Sequence, residues 1–367
     1  MQRSVRVMNE GLSEETEDVL FSLALALAES TDDAAPDRLS LVVGELSQRR
    51  STRQVFDRAV ALAGSPLPRV AIVGIDVLND FGAKLGFPFR DETVAPLLIG
   101  IRSSDVDLQL AAMAALGKFG PGDATHDVLA MTRHPESRVR LSVAMALPRF
   151  VGNDATHDSL VVDALVELTS DAVDVVRDWA TFGLGSQTSA VGRKVTAALF
   201  ARLDDTDAHT RHEALGALAR RRNRAAVPAL LRALDSDFVA SLAVQAAEYL
   251  GAPEAYGALL ALAKSDDWHD EVQIALSRCS TEAQQILSDS LDRFLLLAEQ
   301  RKLPVACFSE RCPHDSGGPQ ISFRVNDGYH EWSFEELLDG AEGSVEAVVR
   351  RIAEQAGAGQ LKPGYRA

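Results

Sequence analysis

The sequence predicts an all-α fold, a right-handed α-α superhelix of stacked antiparallel helix pairs, with a small α+β appendage at its C-terminal end. Three observations carry this. A leucine recurs at near-regular spacing inside an apolar helical stripe. A second apolar helix and an Asp-rich turn precede each copy. After about residue 290 the recurrence stops, and a turn-punctuated, strand-like pattern follows.

The recurrence is clearest in three segments. SRVRLSVAMAL ends at Leu147, DVVRDWATFGL at Leu184 and AHTRHEALGAL at Leu218. Aligned, they bring Val139, Val176 and Thr210 into one column, Arg140, Arg177 and Arg211 into the next, and Val143, Ala180 and Ala214 four residues on. Apolar residues at i, i+4 and i+8 form one face of a helix. Weaker copies end at Leu46, Leu78, Leu116 and Leu250, with a degenerate one near Leu276. Successive spacings of the seven clear markers run from 31 to 38 residues, and DATHD occurs twice, 31 residues apart.

The helices between markers read VAPLLIGI, THDVLAMT, VVDALVEL, VTAALFARL, AVPALLRAL and AYGALLALA. The turns after them, RSSDVD, SDAVD, DDTDAH and DSD, supply Asp and Ser to cap the following helix. One such pair cannot bury its own apolar face, and stacking neighbours makes a continuous core.

The ends depart from the pattern. LSEETEDVLFSLALALA begins with an acidic first turn, as a helix start favours. Residues 82–92, GAKLGFPFRDE, are an insertion whose Phe87, Pro88 and Phe89 form either a packing plug or an exposed contact loop. The organisation expected is an array of seven to eight units over 1–290 and a capping region over 291–367. In that region ILSDSLDRFLLLAEQRKL reads as a helix. ISFRVNDGYHEWSF reads as two strands around an Asn326-Asp327-Gly328 turn, the second weighted with Tyr329, Trp332 and Phe334. One or two helices would follow, then a loosely held tail.

The pattern Val-Arg-x-x-Ala-x-x-x-Leu after an Asp-containing turn resembles the HEAT repeat, in the short bacterial form similar to phycobilisome-lyase-like repeats, over residues 15 to 285. The resemblance implies that the Arg after the Val bonds an Asp of an adjacent turn, giving a structural ladder through Arg140, Arg177 and Arg211. Gln109 and Ala243 stand at that position in flanking units and should interrupt it. It also implies a concave surface lined by the second helices. One row of that surface reads Leu110, Leu141, Asp178, His212, Val244, and the next Ala114, Met145, Phe182, Gly216, Glu248.

Charge and composition bound the function. The formal net charge of -16 repels phosphate backbones and disfavours nucleic acid as a partner. One basic run, Arg220, Arg221, Arg222 and Arg224, reads as a solvated helix end with cations near the C-terminal dipole. Three cysteines, Cys279, Cys307 and Cys312, are too few for a disulfide scaffold and fit a reducing compartment. The N-terminal residues lack a secretory layout, and the longest apolar stretch, Val19 to Ala28, is too short for a membrane span. A cytoplasmic protein without a membrane partner is expected.

Three constellations bear on chemistry. His212-Glu213 resembles one of the His-Glu pairs of the HEAT-type di-iron hydroxylases. The aligned dipeptides Leu110-Ala111, Leu141-Ser142, Asp178-Trp179 and Val244-Gln245 supply no second pair. Cys307, Cys312 and His314 lie close in sequence, with His330 or Asp315 as a fourth zinc ligand, but the spacing is not a common structural one. Arg177, Asp178 and Trp179 resemble the concave face of HEAT-like DNA glycosylases, against which the acidic surface argues; Trp179 otherwise reads as a half-buried core residue. No phosphate loop or nucleophile elbow occurs. The expectation is therefore a non-catalytic scaffold or adaptor with no catalytic residue, metal or cofactor. It would hold a protein through Leu110, Leu141, Met145, Asp178, Phe182 and His212. The competing reading is a lyase-like enzyme or chaperone that holds a small molecule or metal in the groove.

Overall fold

The computed structural model describes residues 11–50, 52–119, 124–151, 160–188, 190–236, 239–264, 269–279, 305–310, 320–325 and 328–333. Eight helix pairs are found there. They are α1 (Glu17–Glu29) with α2 (Ala35–Gly44), α3 (Arg53–Ala63) with α4 (Pro68–Asp80), and α5 (Arg90–Ile101) with α6 (Val106–Phe119). Next come α7 (Thr125–Ala130) with α8 (Ser137–Ala146), α9 (Leu160–Leu168) with α10 (Asp174–Phe182), and α11 (Arg193–Arg202) with α12 (Ala208–Arg220). The last are α13 (Val227–Leu234) with α14 (Ser241–Leu250) and α15 (Tyr256–Leu262) with α16 (His269–Cys279). Leu46, Leu78, Leu116, Leu147, Leu184, Leu218, Leu250 and Leu276 sit in or just after the second helices, and all eight are buried. The degenerate eighth copy is thus a full helix pair.

The chain divides into two compact units, Met1–Gly152 with Asp163–Gly183, and Asn153–Val162 with Leu184–Ala367. In the first, α3 packs on α4 and α5 on α6, while the second helices α4, α6, α8 and α10 stack in succession. Close approach needs small residues. A Cβ at Gly74 would stand 2.3 Å from the Ala63 amide nitrogen and 2.6 Å from the Ala59 carbonyl oxygen, so only glycine lets α4 lie against α3. The turns cap as their composition implies. Thr16 and Thr52 accept from the third amide of their helices. Asp105 accepts from the Leu108 amide at 2.9 Å, and in the second unit Asp207 accepts from Thr210 at 2.7 Å.

The 82–92 insertion is a plug. Gly82 and Gly86 adopt φ of 63° and 74°, and Phe87 a φ of 57°. A Cβ on Gly82 would meet Pro88 Cδ at 2.5 Å. This tight turn folds Phe89 onto Phe56 and Phe81, with ring centroids 4.7 and 5.9 Å apart, and sets Phe87 edge-on to Phe119 at 5.2 Å. Arg53 lies over Phe56 and Phe89. Leu85 at the loop tip stays exposed.

In the second unit α12, α14 and α16 stack, each against its own first helix. Cys279, at the end of α16, is buried and donates toward the Ala247 carbonyl of α14 at 3.4 Å; burial pushes its thiol up to about 12. The basic run is not a solvated helix end. Arg221 donates to the carbonyls of Gly185 (2.7 Å), Leu184 (2.9 Å), Ala190 (3.0 Å) and Ala217 (3.1 Å). Burial, then the neighbouring Arg220 cation, push its guanidinium down to about 10. The carbonyls of Leu184 and Gly185 belong to a π-helical turn, Gly183–Gln187. Arg220 donates to Ser186, and Arg224 pairs with Glu254 at 3.3 Å.

The C-terminal region contains an antiparallel sheet of order β1-β2-β3, with β1 Val305–Glu310, β2 Gln320–Val325 and β3 Gly328–Ser333. The expected hairpin is β2–β3, with Val325 opposite Gly328; its two loop residues lie outside the described residues. The sequence reading omitted β1, which pairs Val305 with Val325 and Glu310 with Gln320. β1 lies against α12 of the sixth pair. The helices expected around this sheet, Phe334 and the tail lie outside the described residues.

Candidate functional site

Second helices bury one face on their partners and leave another free. In the first unit this free face carries the apolar residues singled out from the sequence. Leu110 on α6, Leu141 on α8, and Asp178 and Phe182 on α10 are half-buried, and Ala114 is exposed. Met145 is 46% exposed, unusual for a side chain of its kind. The periodicity explains the arrangement. These residues stand six or two places before the marker leucine, so they share a stripe on each helix while the leucine points into the core.

Two further residues belong to this face. Trp179, half-buried as its position implies, stands edge-on to Phe182, with centroids 5.7 Å apart at 87°. Asp76 occupies the position of Met145 and Phe182 in α4, two residues before Leu78. Counting back from that marker would have found it. Burial, and then the nearby Asp80, push its carboxyl up to about 6. Asp80 itself pairs with Lys118 of the next repeat at 2.5 Å.

His212 belongs to the second unit, on α12, where it is half-buried. Burial, then Arg211 and His209, hold its imidazole below the ordinary value. Val244, its counterpart on α14, is 1% exposed. Gly216 is buried and Glu248 half-buried.

The aligned arginines form a geometric series. Arg140 donates to the His134 carbonyl at 2.8 Å, Arg177 to Asp171 at 3.0 Å and Arg211 to Asp205 at 2.7 Å, each six residues upstream. Gln109 makes the equivalent bond to Ser103 at 2.8 Å. The first task of the position is therefore to close its own turn. Arg140 also reaches the next repeat, making a two-pronged pair with Asp171 at 2.6 and 2.9 Å. This guanidinium holds the Asp171 carboxyl below the usual carboxylate range. Further pairs join neighbouring repeats of the first unit, including Arg102–Asp127 (2.8 Å), Arg133–Glu167 (2.5 Å) and Arg138–Asp107 (3.2 Å).

Among the described residues no group of three or more His, Cys, Asp or Glu could hold a metal ion. Cys312, His314 and Asp315 lie outside the described residues. Cys307 falls on β1 and His330 on β3. No described helix is long and apolar enough to cross a membrane.

These are the features of a repeat protein built from stacked helix pairs. Residues 94–185 and 196–279 match the family model described as HEAT repeats. Over these residues the chain carries HEAT repeats, in the stacked helix pairs of an α solenoid. No curated protein matches it. Among solved structures it is similar to YibA of Escherichia coli, at 15% identity and a TM-score of 0.59, covering 76% of this chain and 97% of that one. It is also similar to an engineered protein, at 16% identity and a TM-score of 0.48, covering 99% and 95%. A third is the complex of CpcE and CpcF of phycocyanin lyase from Nostoc, at 16% identity and a TM-score of 0.37, covering 71% and 94%. The likeness to YibA is one of fold.

Proposed function

We propose that the chain is a protein-binding scaffold and that the second-helix face of its first unit holds the partner. The observation that carries this reading is the run of incompletely buried apolar side chains, Leu110, Leu141, Met145, Trp179 and Phe182, across three successive second helices. Apolar side chains left open side by side mark surfaces that a partner covers. The residue types suit the task. Trp and Phe bring large rigid contact area, and Met adapts to irregular shapes. Asp76 on the same face favours a partner segment with apolar anchors and a cationic flank.

The test is Leu141→Glu with Phe182→Glu in the full chain used as bait against lysate of its source. Partners captured at fixed stoichiometry by the unsubstituted chain should be lost, with the helical circular dichroism unchanged. Losing a central aromatic anchor costs about 2 kcal/mol or more, roughly a thirtyfold drop in affinity. Capture that survives both substitutions refutes the assignment.

A further inference from the structure

The second helices of the first unit stack in succession, so their matched positions form rows that run across the helix axes. Six residues before the marker leucine stand Ile72, Leu110 and Leu141, all half-buried. Two residues before it stand Asp76, Ala114, Met145 and Phe182, in that order from α4 to α10. This second row is graded. It begins with a carboxylate, dips at Ala114, whose side chain ends at Cβ, and rises to a flexible thioether and then an aromatic ring.

Asp76 is the odd member. Ile72 lies one turn before it on α4 and Asp80 one turn after it. Asp80 is paired with Lys118 of the next repeat. Nothing among the described residues does the same for Asp76: burial and the Asp80 charge both oppose its ionised form, and no cation offsets them. A cation brought to this carboxylate by a partner reverses that balance, because a close opposite charge favours the ionised form.

The spacing of the rows selects the shape of the partner. Packed helices lie about 8–10 Å apart. Residues seven apart on an α-helix face nearly the same way and are separated by about 10.5 Å. Same-face residues of a strand are about 6.8 or 13.6 Å apart, so successive anchors fall out of step with the rows. A helix laid across the stack stays in step, offering one side chain to each second helix. From α4 to α10 is three steps, which takes about 22 residues.

We propose that the occupant of the first unit's strip is an amphipathic α-helix of about 22 residues that places an arginine or lysine at Asp76. Seven positions along, a bulky apolar residue lies over Ala114, and apolar residues at the next two sevens meet Met145 and Phe182. Asp76 is the specificity-determining residue of this surface: it admits a helix that ends in a cation and repels one that ends in a carboxylate. The inference rests on the protein-binding reading of the strip and adds the shape, charge and register of the partner.

The test uses the full chain and two fluorescein-labelled helical peptides of about 22 residues. Both carry leucine at the a and d positions of a heptad on an alanine and glutamine background. One has two arginines at each end, its twin two glutamates. Fluorescence anisotropy at about 0.15 M salt, where distant charges are screened, gives the affinities. The arginine peptide should bind about tenfold tighter than its twin, or more. Asp76→Asn should weaken the arginine peptide about fivefold and leave the glutamate peptide no weaker. Asp235→Asn removes the same charge from an exposed site of the second unit and should change neither. Asp76→Lys should reverse the preference. Equal affinity for the two peptides, or an arginine preference that survives both Asp76 substitutions, overturns the proposal. The strip still stands in that case if Leu141→Glu with Phe182→Glu abolishes binding. Failure of both peptides to bind overturns the helical occupant, while the capture experiment on the same double variant decides the strip separately.

Discussion

Replacing Arg221 by methionine should destabilise the second unit by about 3 kcal/mol. The side chain donates to four carbonyls. Two of these have another donor: Ala217 accepts the Arg221 amide, and Leu184 accepts the Thr188 hydroxyl at 3.0 Å. The bonds to Gly185 and Ala190 then dominate the loss. A hydrogen bond to a charged group contributes about 1.5–3 kcal/mol net, so two amount to roughly 3–6. The lower end applies because Arg221 retains some exposure to water. Methionine keeps most of the apolar stem, which separates the lost bonds from lost packing. Lysine keeps the charge but has three donors on one nitrogen, so Arg221→Lys should lose about half as much. Urea unfolding followed by circular dichroism gives the change in free energy, and hydrogen exchange over residues 184–190 shows whether the opening is local. A loss under about 1 kcal/mol for Arg221→Met, or unchanged exchange in that segment, would refute the view that this cation holds the π turn.

Other perturbations follow from the same geometry. Asp76→Asn should stabilise the first unit by about 1–2 kcal/mol at pH 7.5, because the folded state holds a carboxylate there at a disadvantage. The folded pKa, about 6, lies above the ordinary 3.8. The penalty is therefore full above pH 6 and fades as pH falls toward 4; denaturant midpoints of the two proteins should converge over that window. Arg140→Ala should cost about 2–3 kcal/mol, since the Arg140 and Asp171 side chains are only 16% and 7% exposed. A double-mutant cycle with Asp171→Ala should return a coupling above about 1 kcal/mol, and additivity would show that the bridge contributes nothing. Because the folded Asp171 pKa is depressed, that stability persists at neutral pH and is lost only as pH falls below the ordinary carboxylate range. Gly74→Ala should destabilise by about 2 kcal/mol or more, as the new methyl meets backbone rather than a yielding side chain; an unchanged melting temperature would contradict the close approach of α3 and α4.

The stack was legible because its cause is local and repeated. A leucine buried in every unit leaves the same mark each time, and even the faint copy near Leu276 obeyed the register. Turn chemistry was legible for the same reason: Asp105 and Asp207 cap the helices their position implies. What escaped depends on distant backbone. Arg221 reads as a solvated cation because nothing near it in sequence discloses the carbonyls of the π turn some 35 residues earlier. The half-burial of Trp179 follows from its column, but its edge-on contact with Phe182 is a matter of packing that the column does not record. β1 is short, and its placement on α12 joins segments about 90 residues apart, which no periodicity records.

The six-residue lock from Ser103 to Gln109, His134 to Arg140, Asp171 to Arg177 and Asp205 to Arg211 bears on how such a chain can grow. The spacing between markers drifts, but the lock length does not. Insertions and deletions have therefore been absorbed outside it, in the first helices and the connections before them. A duplicated segment arrives with its own turn already fastened and needs no help from its new neighbours to hold it. The outward bridge, as from Arg140 to Asp171, can then be gained or lost afterwards at a single position without undoing the copy.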